Sequence, residues 1–132
     1  MRTVIGRFTP QVFAIMRIVV GLLFACHGTQ KILGWPPREF PVKLASMAGA
    51  SGMIELVCGL LIAVGFMTGI AAFIASGEMA AAYFIAHFPQ GWIPLQNKGE
   101  LAVVYCFVFL FIAAHSAGIW SLDNSLTKRN RT

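Results

Sequence analysis

The sequence predicts an all-α protein: a single domain over 1–132, built as a bundle of four transmembrane helices in antiparallel up-down order. Three observations lead there. Hydrophobic residues make up 58% of the chain and charged ones 11%, with a mean hydropathy of +0.75, whereas soluble domains carry about 25% charged residues. Four apolar stretches, 12–34, 48–68, 69–87 and 101–119, each come close to the roughly 20 residues that a helix needs to cross the hydrocarbon core. The connections between them are short and marked by Gly, Pro and Trp.

The first stretch follows a polar lead-in closed by Thr9-Pro10, a helix-starting pair. It is too long for a removable signal peptide, contains Arg17 and lacks a small-residue cleavage site, so it is expected to belong to the mature fold. Pro36 and Pro37 forbid its continuation beyond Gly34. The next segment, from Arg38 to Met47, is polar and aromatic and is expected at the membrane interface. The second and third stretches meet at Gly65-Phe66-Met67-Thr68-Gly69, a tight turn that makes them an antiparallel hairpin. The third stops at His87-Phe88-Pro89, and a loop carrying Trp92 and Pro94 returns the chain to the fourth. Beyond it, 120–132 reads as a polar tail, whose basic part after Asp123 is expected to be disordered.

The basic residues suggest an orientation. Arg2, Arg7, Lys128, Arg129 and Arg131 flank the termini, against Arg38, Lys43 and Lys98 in the two longer loops, which places both termini in the cytoplasm. Anionic headgroups near the basic tail account for the net charge of +5, and no nucleic-acid partner is called for.

Three charged residues fall inside apolar stretches: Arg17, Glu55 and Glu78. A charge at membrane depth costs at least about 2.5–3.5 kcal/mol on insertion scales, so such residues pair or serve a function. A rise of 1.5 Å per residue puts Arg17 about 8 Å and Glu78 about 13 Å from one side, and Glu55 roughly 10 Å from the other. This predicts a buried ion-pair cluster in which Arg17 meets Glu78 and Glu55 meets His27 or Lys31; Arg17 bridging both acids is the alternative. Glu55, Glu78, His27 and Lys31 are the candidate proton-handling residues. Ion pairs that merely fix helix register are the competing reading. Gly52 and Gly59 flank Glu55, and Ala71, Ala75 and Ala82 share a stripe with Glu78, as close helix packing in lipid requires.

Cys26, Cys58 and Cys106 form no C-x-x-C pair, which argues against a dithiol oxidoreductase. His27 and His87 are the histidine pair at matched depth, but a haem between them is not expected, and no metal motif stands out. Arg17-Ile-Val-Val-Gly21 followed by His27-Gly28-Thr29-Gln30-Lys31 resembles the opening helix of the DoxX family of small bacterial and archaeal membrane proteins. Glu55-Leu-Val-Cys-Gly59 with Gly65-Phe-Met-Thr68-Gly69 is similar to its second helix and turn. Asn97-Lys-Gly-Glu100-Leu and Gly118-Ile-Trp-Ser121-Leu-Asp123 are similar to the start and close of its fourth helix. At Ala117-Gly118-Ile119 the chain departs from the Gly-x-Gly-Pro-like turn expected of the family.

The resemblance implies a multi-pass protein of a bacterial or archaeal plasma membrane. Some members are linked to thiosulfate:quinone oxidoreductases and others to complexes that handle oxidative and thiol stress. For this chain the leading expectation is a redox-associated subunit that binds a quinone and takes electrons from a protein partner. Glu55 and Glu78 would relay protons, and Arg17 would hold a carboxylate ionised. The alternatives are a proton-coupled small transporter, which predicts a homodimer, and a structural or assembly subunit.

Overall fold

In a computed structural model that describes residues 4–39 and 42–130, the fold is all-α, with five helices. The basic residues Arg2 and Arg131 lie outside the described residues, as do Phe40 and Pro41 of the first loop. Helix α1 covers Thr9–Leu33 after a single 3-10 turn, carries Pro10 in its first turn and ends at Gly34 in the left-handed region (φ 69°). Helix α2, Met47–Val64, starts on Ser46, whose hydroxyl accepts from the Gly49 amide at 3.2 Å. It ends in a Schellman closure: Phe66 donates to Leu61 O and Gly65 (φ 73°) to Ile62 O, so the last carbonyls are satisfied within three residues of the next helix.

Helix α3, Thr68–Ala82, runs on through a π turn at Tyr83–His87 and a 3-10 turn at Phe88–Gln90. Helix α4 covers Glu100–His115 and α5 covers Leu122–Arg129. Three helical segments, Ile5–Leu33, Met47–Val64 and Thr68–Gln90, are long and apolar enough to span a membrane.

Two boundaries correct the sequence reading. The fourth apolar stretch is helical only from Glu100 to His115, because Ser116 adopts a positive φ of 69° and turns the chain. At 16 residues it is about 24 Å long, shorter than the other three. The tail expected to be disordered instead forms α5 over Leu122–Arg129, started by Ser121, whose hydroxyl accepts from the Asn124 amide.

Helix α1 packs along α2, α3 along α4, and α2 touches α3. The α1–α2 contact is backbone to backbone. A Cβ placed on Gly21 would lie 2.7 Å from Ala63 N, and one on Gly59 would lie 2.5 Å from Ala25 N. Phe24 joins the two helix pairs, its ring 4.6 Å from Phe109 and 5.5 Å from Tyr105 between centroids. Large apolar side chains such as Leu23, Leu60, Phe73 and Phe107 point outward along the helices, a belt far larger than a soluble monomer exposes.

Candidate functional site

The intramembrane charges separate into two groups at opposite ends of the bundle. Arg17 is fully enclosed. Its Nη1 donates to Ile62 O at 2.5 Å and to Ala63 O at 2.8 Å, and its Nη2 donates to Trp120 O at 2.7 Å. The guanidinium therefore closes the C-terminus of α2, where carbonyls and the negative end of the helix dipole converge.

Asp123, on the first turn of α5, does the converse for α3. Its carboxylate accepts from the amides of Met67 and Thr68 and from the Thr68 hydroxyl, each at 2.9 Å. Partial burial alone would raise the Asp123 carboxyl's affinity for a proton. The bonds from Thr68 and Met67 and the Arg17 charge outweigh it and hold the group below its ordinary value. Asp123 also donates its amide to Gly65 O at 2.9 Å, which ties α5 to the α2–α3 turn.

The expected cluster of Arg17 with Glu55 and Glu78 is thus not formed, and among the described residues no ion pair joins Arg17 to either acid. Counting depth from the ends of apolar stretches treats all helices as starting at one level. Here α1 extends past the α2–α3 turn, so Arg17 comes level with Ile62. Ser51, the partner of Glu78, lies eleven residues back along α2, about 16 Å away.

The second group gathers at the other end. Lys31 Nζ donates to Glu55 Oε1 at 2.7 Å and to Ser51 Oγ at 2.9 Å, and Ser51 Oγ donates to Glu78 Oε1 at 2.7 Å. Three helices supply these side chains: Lys31 from α1, Ser51 and Glu55 from α2, Glu78 from α3. Ser51 and Glu55 stand one turn apart on the same face. One ammonium thus serves two carboxylates through a shared hydroxyl. Glu55 Oε2 and Glu78 Oε2 are buried and have no hydrogen-bond partner among the described residues.

These side chains border a cavity of about 620 Å³ between the two helix pairs. Its walls are mainly apolar, with Phe24, Ile54, Met79 and Leu101 among them, and Tyr105 beside the carboxylates. His27 also lines it, edge-on to the Tyr105 ring at 6.1 Å. His87 reaches the rim from the π turn, with Nδ1 3.1 Å from Asn97 O. Asn97 is buried and donates to Gly91 O and Tyr83 Oη, which fixes the loop that carries Lys98 to the same rim. Glu100 is exposed, while His115 lies at the opposite end, its ring tilted by 32° against Phe13 with centroids 3.8 Å apart. The three cysteines are free thiols, and among the described residues no group of three or more His, Cys, Asp or Glu is placed to hold a metal ion.

Comparison with known proteins places the chain. The family model described as DoxX matches residues 12–88, more than half of the sequence and the part that contributes Arg17, Lys31, Ser51, Glu55 and Glu78.

The chain belongs to the DoxX family.

As a DoxX-family protein with several membrane-spanning helices, it is a multi-pass integral membrane protein. It is 39% identical over 134 aligned positions to an uncharacterized protein of Haemophilus influenzae, covering 93% of this chain and 96% of that one. It is 28% identical over 140 positions to an uncharacterized membrane protein of Mycobacterium tuberculosis, covering 91% and 83% of the two chains. No solved structure matches it significantly.

Two residues of these groups carried no role in the sequence reading. Ser51 had a local signal, its position one turn before Glu55. Asp123 had none, since the helix that it caps lies more than fifty residues earlier.

Proposed function

We propose that this DoxX-family protein is a membrane subunit of a redox-linked complex that binds a small molecule of the quinone–quinol class in the cavity beside Glu55 and Glu78. One observation carries the reading: the carboxyl-bearing side chains of Glu55 and Glu78, with Lys31, line a mainly apolar cavity large enough for a single ring and a short tail. In this reading α4 crosses the bilayer as the fourth span of an up-down bundle. Both termini face the cytoplasm of the plasma membrane, following Arg7, Lys128 and Arg129.

The chemistry follows from the atoms present. A quinone takes up two protons as it accepts two electrons, here from the redox centre of a protein partner. Glu78, whose Oε1 holds the Ser51 proton, and Glu55, held by Lys31, are the carboxyl groups that would relay these protons. Ser51 and Lys31 position the two carboxylates. The same ratio of two carboxylates to one ammonium also favours a second reading, a proton-coupled exporter in which one carboxylate exchanges its proton for the cargo.

Binding of a short-chain quinol to the purified protein in lipid nanodiscs tests the proposal. Saturable binding is expected, weakened about tenfold by Glu78→Gln, the value of one hydrogen bond to a charged group. Absence of saturable binding overturns it. Proton uptake into sealed vesicles driven by a cargo gradient, with no partner protein present, would instead favour the exporter.

A further inference from the structure

The end of the bundle away from the cavity presents an amphipathic surface at a defined depth. Helix α2 has 18 residues and is about 27 Å long, close to the roughly 30 Å of the hydrocarbon core, so its C-terminus marks one edge of that core. Helix α5 is tied to this level by the bonds of Asp123 to Gly65 O and to the Met67 and Thr68 amides. Helix α1 starts beyond it, and its Thr9 and Pro10 share a crevice with Asn124 and Thr127. The level of α5 is therefore that of the lipid headgroups.

The two sides of α5 differ. Asp123, Asn124 and Thr127 line the crevice, while Leu122 and Leu126, one turn apart, lie off that side and are 50% and 45% exposed. Trp120 precedes them with a left-handed φ of 54°, an uncommon conformation for a bulky residue. Its carbonyl turns inward to Arg17, and the residue stays 59% exposed. Phe66 and Met67 on the adjoining turn are exposed as well, so the apolar belt of the spans continues onto α5. Lys128 and Arg129 close the last turn of α5, and Arg7 precedes α1 at the same end. Of the five acids in the chain only Asp123 lies here, and its carboxylate is bonded to amides.

From this arrangement we infer that Trp120, Leu122 and Leu126, with Lys128 and Arg129, form an interfacial site for anionic phospholipids. The apolar side chains enter the upper acyl layer, and the two cations meet the phosphates of the headgroups. Net charge alone asks only for basic residues near a membrane surface. The clasp adds a fixed face that holds them beside an apolar anchor at one depth. The inference is independent of what the cavity binds.

Tryptophan quenching in liposomes tests it. Trp35→Phe and Trp92→Phe remove the other two tryptophans, both exposed at the far end, and leave Trp120 as the reporter. The full-length protein is placed in phosphatidylcholine vesicles with rising shares of phosphatidylcholine or phosphatidylglycerol brominated at the upper acyl carbons. Both lipids are expected to quench Trp120. Phosphatidylglycerol is expected to take the site at least about fivefold more readily, the effect of roughly one cation at an anionic surface. Lys128→Gln with Arg129→Gln should bring that preference to within about twofold, and salt at about 0.5 M should do the same with both cations present. An unquenched Trp120 overturns the inference and leaves this face to a protein partner. Equal quenching by the two lipids overturns the assignment to anionic headgroups. A preference that survives both the double substitution and the salt overturns the role of Lys128 and Arg129.

Discussion

The two ends of the bundle handle buried charge in opposite ways. At one end Arg17 and Asp123 spend themselves on the backbone: the cation covers the C-terminus of α2, the anion covers the N-terminus of α3, and α5 is drawn onto the turn between them. Of their side-chain polar atoms, only Arg17 Nε is buried and unpartnered. At the other end Lys31, Ser51, Glu55 and Glu78 bond to each other across three helices, and all four line a cavity. A charge at membrane depth is therefore not in itself a functional mark. What separates the two ends is what their charges bond to: helix-end backbone at one, each other across three helices at the other.

The sharpest way to break this comparison is Arg17→Leu. Ile62 O keeps the Gly65 amide, but Ala63 O and Trp120 O lose the Arg17 donor, at about 1–3 kcal/mol for each buried group left unpaired, so a loss of about 2–5 kcal/mol in stability is expected. Thermal unfolding in detergent reads it, and an unchanged midpoint would mean that the clasp is dispensable. Ligand affinity of the folded fraction should stay within about twofold, because the two groups lie about 16 Å apart along α2.

Asp123→Ala comes next. The loss of a helix cap made in trans should cost about 1–2 kcal/mol. The Asp123 carboxyl titrates below its ordinary value in the folded protein, so its stabilisation is fully present above that ordinary value. It is lost as pH falls through the depressed one. The acid limb of the stability profile should therefore be shallower in the alanine variant, and coincident limbs would refute the clasp's dependence on charge.

Ser51→Ala should have the smallest effect on stability and a clear one on binding. It removes one shared hydroxyl from a half-buried position, so a loss within about 1 kcal/mol is expected on unfolding. Quinol affinity should fall about fivefold to tenfold as Glu78 loses its orientation, measured by the same nanodisc titration. The reverse pattern, a large loss of stability with binding intact, would make this end a clasp as well.

Much of the fold was legible along the chain. Gly65 and Gly34 take the left-handed conformations that end α2 and α1, and the apolar stretches set the three long helices within a few residues. The α4 boundary and α5 were not legible. Ser116 has no local reason to take a positive φ, and α5, polar and eight residues long, is held by Asp123 on a distant turn. In the candidate site, depth left Glu55 to either His27 or Lys31 and the structure pairs it with Lys31, whereas Arg17 beside Glu78 was predicted and does not occur.

By itself, then, the sequence determined that charged side chains must be buried in a lipid-spanning helical chain, because composition and stretch length are local properties that the bilayer reads directly. Which charges meet was decided by the tertiary structure alone. Helix offset along the bundle sets the depth of each residue relative to its neighbours, and that offset comes from packing between α1 and α2 and from the α5 clasp. It placed Arg17 against the backbone and left Glu55 and Glu78 facing a cavity.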